Sequence, residues 1–136
     1  MASGLFDYGR ARFLQGDLLW KVSTSQDFRC ALIDTAVTVP NLATHQYHSD
    51  LVSAIVGTPV SFTASALTSA AGVADGNDIV FTAVTGAHVE GVIIYQWTGT
   101  SATSPLVAWL EFTQLTPNGG NITIAWDSGT YKIFKL

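Results

Sequence analysis

The run Val92-Ile93-Ile94-Tyr95-Gln96-Trp97 constrains this chain more than any other stretch. β-branched and aromatic residues dominate it, and such side chains pack well on a pleated surface. Successive side chains of a strand leave on opposite faces, so Val92 and Ile94 point one way and Ile93, Tyr95 and Trp97 the other. Both faces are apolar, which places the strand in the middle of a sheet covered on both sides. A second apolar run, Leu106-Val107-Ala108-Trp109-Leu110-Glu111-Phe112, follows a connection at residues 98–105 that has no helical pattern. Glu90 to Phe112 therefore reads as a β-hairpin with a loop of moderate length. A hairpin this apolar needs several partner strands to hide it.

The rest of the chain supplies them. Leu18–Val22, Phe28–Ile33, Val60–Ala64, Ile79–Val84, Asn121–Trp126 and Tyr131–Leu136 read as strands, and Leu51–Val56 is a segment ended by Gly57 and Pro59. Turn formers punctuate them at Ala74–Asp78, at Thr116-Pro117-Asn118-Gly119-Gly120-Asn121 and at Asp127–Thr130. Gly4 to Gln15 reads as a short amphipathic helix with Leu5, Tyr8, Gly9 and Phe13 on one side, Ser3 as its cap and Gly16 as its stop. Gly9 costs that helix about 1 kcal/mol against Ala, and an extended arm is the alternative. A second short helix is expected at Leu42–His48 with Asn41 as cap. About eight strands and one or two short helices make residues 1–136 a single mainly β domain, a β-sandwich or jelly-roll, with a partly open barrel as a variant.

Composition narrows the function. Only 12% of the 136 residues are charged, against an average of about 25%. The surface must be clothed in Ser, Thr, Asn, Gln and Gly, or be partly hidden against other molecules. The six Lys and Arg are scattered and the net charge is −4, which excludes binding to nucleic acid through a row of phosphates. No run reaches the roughly 18 apolar residues that span a membrane. The first residues lack the pattern of a signal peptide, so synthesis in a cytoplasm is expected. The single cysteine, Cys30, excludes an intramolecular disulfide and reads as a buried, inert thiol.

No constellation carries chemistry. His45 and His48 share a helical face with Asp50 just beyond, but a metal needs three or four ligands and His88 lies far along the chain. Helix-end hydrogen bonds to backbone explain the pair better. Among the acids, Asp27, Asp34, Asp75, Asp78 and Asp127 show no pairing, while Glu90 and Glu111 flank the hairpin and form a weak candidate pair; solvated strand ends are the plainer reading. No nucleophile elbow, phosphate loop or zinc spacing occurs. Neither an enzyme nor a cofactor or metal is expected. Tyr95, Trp97, Trp109 and Trp126 could stack sugar rings if they shared an exposed face; filling the core or a subunit contact is the plainer role.

The chain resembles a widespread set of small structural proteins of tailed bacteriophages. The resemblance rests on Leu5-Phe6-Asp7-Tyr8-Gly9-Arg10, Ala31-Leu32-Ile33-Asp34-Thr35-Ala36, His45-Gln46-Tyr47-His48-Ser49-Asp50 and Val92-Ile93-Ile94-Tyr95-Gln96-Trp97-Thr98-Gly99 with Thr103-Ser104-Pro105-Leu106. It continues through Thr116-Pro117-Asn118-Gly119-Gly120 and Trp126-Asp127-Ser128-Gly129 to Lys132-Ile133-Phe134-Lys135-Leu136. It covers most of the chain in one order and departs after Asp50, where Ile-Pro is expected and Leu51-Val52 stands. Similarity to this set implies a head cement or decoration protein, β-rich, on the exterior of the virion head. Its partner would be the major capsid protein, and it would bind and stabilise the expanded shell. The resemblance carries over no catalytic residues.

On that reading the chain forms a homo-oligomer, a trimer or dimer, with no direct nucleic-acid or membrane contact. Phe6, Arg10, Arg12, Lys132 and Phe134, at the two ends of the sequence, mix apolar and basic character as interfaces do and are the expected partner-binding residues. Phe6 and Phe134 could equally cover the ends of the sandwich. Two rival readings stand beside this one: a virion carbohydrate-binding module that stacks glycans on Tyr95, Trp97 and Trp109, and a tail or connector component.

Overall fold

A computed structural model of the chain describes residues 3–127, 129 and 132–136. Among these residues the elements run β1 (Gly4–Leu5), α1 (Asp7–Leu14), β2 (Asp27–Ile33), β3 (Ile55–Ser61), β4 (Val73–Ala74), β5 (Ile79–Phe81), β6 (Val89–Trp97), β7 (Leu106–Leu115), β8 (Ile122–Ile124) and β9 (Phe134–Lys135). Five strands form one antiparallel sheet in the order β1-β7-β6-β2-β3, and two ribbons, β4–β9 and β5–β8, stand apart from it. The fold is mainly β and sandwich-like, as expected, and the strand that dominates the sequence, β6, is the middle strand of the sheet.

The parity of β6 divides the interior in two. Val92 and Ile94 join Phe28, Cys30 and Leu32 of β2 in one core, which the ribbons close with Ala74, Ile79, Phe81 and Ile133. Ile93 and Tyr95 join Ala31, Ile33 and Trp109 in the other, which Phe6, Leu51 and Ala54 complete, with Leu42 and Trp97 packed at its margin. The long connection between β2 and β3 thus supplies much of the second cover. Ile93 and Ile94 are both fully buried, on opposite sides of one strand. Burial of each stabilises the fold by about 1.5–3 kcal/mol, and this is why the sequence is apolar at consecutive positions here.

Two glycines allow close approaches. A Cβ on Gly91 would lie 2.4 Å from Trp109 Cη2 and 2.6 Å from Leu110 O, so the indole of Trp109 occupies the place where a side chain would stand. A Cβ on Gly9 would lie 2.5 Å from Leu106 O, so α1 rests directly on the backbone of β7. The same strand carries a bulge. Ile94 faces Ala108 while Tyr95 faces Leu106, which leaves Val107 as the extra residue, and its side chain turns into the first core. β3 is irregular between the partners of Cys30 and Leu32, where Gly57, with φ of 76°, and Pro59 interrupt it. Pro is at home on such an edge strand because it has no N–H to donate.

Several expected elements come out shorter or different. The helix starts at Asp7, not Gly4, because Gly4 and Leu5 pair with Trp109 and Ala108 as β1. Ser3 does not cap it; its hydroxyl accepts from Glu111 N at 2.8 Å across the sheet edge. Leu18–Val22 is not a strand. Trp20 instead plugs the first core, its ring tilted against Phe28 at 4.8 Å and edge-on to Phe62 and Phe134 at 5.2 and 5.3 Å, with Nε1 donating to Asp75 O at 3.1 Å. Asn41 does cap, accepting from Ala43 N and Thr44 N, yet only a turn follows, and a single 3-10 turn forms at His48–Asp50. The last strand is Phe134–Lys135, and Tyr131, its expected start, lies outside the described residues.

Candidate interaction surface

The two ends of the sequence meet in space. α1 lies on β7 through Gly9, and the C-terminal ribbon comes alongside, with the rings of Phe13 and Phe134 5.9 Å apart. Between them runs a groove of about 330 Å³ lined by Ser3, Leu5, Arg10, Leu110, Phe134 and Lys135, among others. Its lining mixes polar and apolar groups, with Arg10, Ser3 and Lys135 beside Leu5, Leu110 and Phe134. The Arg10 guanidinium is half exposed and donates to Asp7 Oδ1 at 2.8 Å, one helical turn back. An exposed pair of this kind contributes little to stability, so Arg10 can exchange Asp7 for an acid on a partner at small cost.

The five residues expected to bind a partner therefore separate. Arg10 and Phe134 line this groove together. Arg12 does not: its Nη1 donates to Tyr8 OH at 3.3 Å, its Nε lies 3.4 Å from Asp17 Oδ2, and Tyr8 OH in turn meets Tyr47 OH at 2.6 Å. Lys132 reaches Asp75 Oδ2 at 3.4 Å, on the ribbon. Phe6 is fully buried in the second core, so of the two roles open to it the structure assigns the covering one. Sequence reasoning missed Lys135, which lines the groove; its position beside Phe134 was the available signal.

The aromatic residues do not form an exposed platform. Tyr95 and Trp109 are 1% and 0% exposed, which rules out stacking against a sugar, and burial pushes the Tyr95 hydroxyl up to about 12. Trp109 Nε1 is buried with no hydrogen-bond partner among the described residues. Trp126 stacks on Phe62 and donates from Nε1 to Asn77 O at 2.8 Å. Trp97 is, like Trp126, partly open, and the Arg29 guanidinium lies over its ring at 5.0 Å while also meeting Asp27 Oδ2 at 2.8 Å.

The titratable residues are engaged locally. His45 Nδ1 accepts from Asn41 N, and the Asp50 carboxylate accepts from Gln46 N and Tyr47 N. His48 is buried against the Tyr95 ring at 4.6 Å, and its Nδ1 meets Ser101 Oγ at 2.7 Å. His48 N also donates to Ser104 O at 2.8 Å, so this residue ties the β2–β3 connection to the loop of the hairpin. Among the described residues, no three of His, Cys, Asp or Glu gather where a metal ion could be held. Glu90 and Glu111 are not cross-strand partners, because β6 sets Gly91 opposite Glu111. Glu90 instead accepts from Thr35 N and Thr35 Oγ1 at 2.9 and 2.8 Å, beside a polar groove of about 380 Å³ that Asp34, His88 and Gln114 also line. Burial pushes the Cys30 thiol far up, consistent with an inert role. Among the described residues, no helix is long and apolar enough to cross a membrane. The sequence matches no protein-family model and no curated protein.

Proposed function

We propose that the chain is a virion structural protein of a tailed phage, a cement or decoration subunit that binds the exterior of the expanded head and stabilises it. The observation that carries this reading is the groove of mixed polar and apolar lining that Arg10 from one end of the sequence and Phe134 from the other share. An aromatic anchor beside an arginine is the composition that interface centres favour. Both faces of the central sheet are consumed by the two cores, so a partner has to be met at a rim such as this one. A shell offers many copies of one acceptor, and weak contacts repeated around it act together through effective concentration. Self-association into a trimer or dimer belongs to the same proposal.

The test is co-sedimentation of the purified protein with expanded heads that lack it. Arg10→Glu and Phe134→Ala should each weaken binding by tenfold or more, which corresponds to about 1.4 kcal/mol. Circular dichroism and urea unfolding separate lost binding from lost folding. Heads without the protein should rupture at lower temperature than complete ones. Wild-type binding by both variants would remove the groove from the proposal, and equal heat stability of the two kinds of head would remove the cement role. The glycan reading now rests on Trp97 alone, and a tryptophan-fluorescence titration with host glycans tests it. Labelled particles distinguish the head from a tail or connector position.

A further inference from the structure

The turn between β7 and β8 contains the sequence Asn118-Gly119. We propose that this pair is a latent deamidation site, held unreactive by the folded turn and released when the turn lets go of Val84. The chemistry needs only water. The Gly119 amide nitrogen loses its proton to hydroxide and attacks Asn118 Cγ. The Cγ–Nδ2 bond breaks, ammonia leaves and a cyclic succinimide forms. Water then opens the ring at either carbonyl, giving aspartate or isoaspartate, so an amide becomes a carboxylate and the turn gains a negative charge.

Two features favour the attack. Gly119 has no Cβ to obstruct the ring closure, whereas Asn41, Asn77 and Asn121 precede Leu42, Asp78 and Ile122. Asn118 is exposed, and its Oδ1 accepts from Gly120 N at 3.0 Å, which draws electron density from Cγ and sets the side-chain amide across the intervening Gly119 peptide. One feature opposes it. Gly119 N, the nucleophile, donates to Val84 O at 2.7 Å, and this bond has to break before the nitrogen can deprotonate and turn toward Cγ. The clamp is reinforced from both sides: Val84 N donates to Gly120 O at 3.0 Å, and Asn121 Oδ1 accepts from Ala83 N at 3.1 Å. Val84 itself is 2% exposed and anchored in the first core. The opposing contacts set the rate, because reaction occurs only in the fraction of molecules whose turn is open.

The experiment follows Asn118 by peptide-mass analysis during incubation at mildly alkaline pH, with the native protein beside the urea-unfolded chain. The native rate should be slower by at least about tenfold, and the slowing should match, within a few-fold, the hydrogen-exchange protection of the Gly119 amide in the same protein. Asn121→Ala, which removes one strut of the clamp, should raise the native rate several-fold and leave the unfolded rate unchanged. Equal native and unfolded rates would overturn the proposal. A protected Gly119 amide with no slowing of deamidation would overturn it as well, and that comparison needs no variant to fold.

Discussion

Replacing Gly9 by alanine sets two effects of opposite sign against each other. Gly9 lies inside α1, and on helix propensity alone Gly9→Ala should stabilise the protein by about 1 kcal/mol. The new Cβ, however, would sit 2.5 Å from Leu106 O and 3.1 Å from Val107 Cα, both backbone atoms of a fully buried stretch of β7. Ordinary contact begins at 3.4 Å, so the helix and the strand must separate by about 0.9 Å, the difference between 3.4 and 2.5 Å. Neither side yields easily. β7 is held between β1 and β6, and α1 is tied down by Phe6 N donating to Val107 O and Asp7 N donating to Leu42 O. Overpacking of this kind costs about 1–3 kcal/mol, and lifting the helix also loosens the contact of Phe13 with Phe134. With both effects the cost falls in the upper half of that range, about 2–3 kcal/mol, so after the helix gain of about 1 kcal/mol the expected net result is a loss of about 1–2 kcal/mol, or roughly 3–8 °C in Tm for a domain of this size. Urea and thermal unfolding of Gly9→Ala measure it. Ala11→Gly, two residues along the same helix, is the control and should lose about 1 kcal/mol by propensity. A Gly9→Ala protein as stable as the parent, or more so, would refute the argument that α1 needs glycine to approach β7.

Three further outcomes follow from the polar and buried groups. Burial first, and the charge of Arg29 second, hold the His48 imidazole below its ordinary 6.5. The unfolded chain therefore takes up that proton before the folded one does. Stability should begin to fall as pH drops past 6.5 and stop falling, on this account, once the lowered folded value is passed; the urea midpoint of His48→Gln against pH should lack this component. For Asp50, burial pulls the carboxyl up, but the bonds from Tyr47 N and Gln46 N and the charge of His45 outweigh it and hold it below the ordinary 3.8. Its contribution is present above 3.8 and is lost as pH falls through the folded value. Asp50→Ala should cost about 1 kcal/mol near neutrality, as loss of a cap does, read from denaturant midpoints. Cys30 should resist a thiol-disulfide reagent in the native protein and react at the rate of unfolding, and prompt labelling without denaturant would contradict its burial.

What could be read from the sequence was what neighbouring residues decide among themselves. The alternation within Val92–Trp97 announced two buried faces, and the two cores follow that parity. Ile122, Ile124 and Trp126 face inward and Thr123 and Ala125 outward, as their spacing required. Contacts between distant residues were not legible. Leu18–Val22 has the residues of a strand, but the Trp20 ring finds more burial as a plug among Phe28, Phe62 and Phe134 than it would on a ladder. Gly9 read as a defect in a helix because nothing local reveals that β7 passes beneath it. The groove shows the same limit. Arg10 and Phe134 were singled out for their character, but it took the fold to separate them from Arg12 and Lys132, which acids occupy elsewhere, and from Phe6, which the core claims.

The pairing of β1 with β7 has a consequence for the order of events as the chain emerges from the ribosome. Gly4 is made well before its partner Trp109, which lies about a hundred residues further along. β2 likewise waits for β6, and its Ile33 meets Gly91 only after most of the chain exists. Until the hairpin of β6 and β7 has been synthesised, the earlier segments have apolar faces and only the pairing of β2 with β3 available to them. Folding is therefore expected to wait for the hairpin of β6 and β7, which the earlier segments then join. Topologies dominated by such distant pairings fold slowly. The nascent chain would meanwhile expose sticky surface, so the yield of correctly folded protein should depend on chaperone supply more steeply than the stability of the finished molecule would indicate.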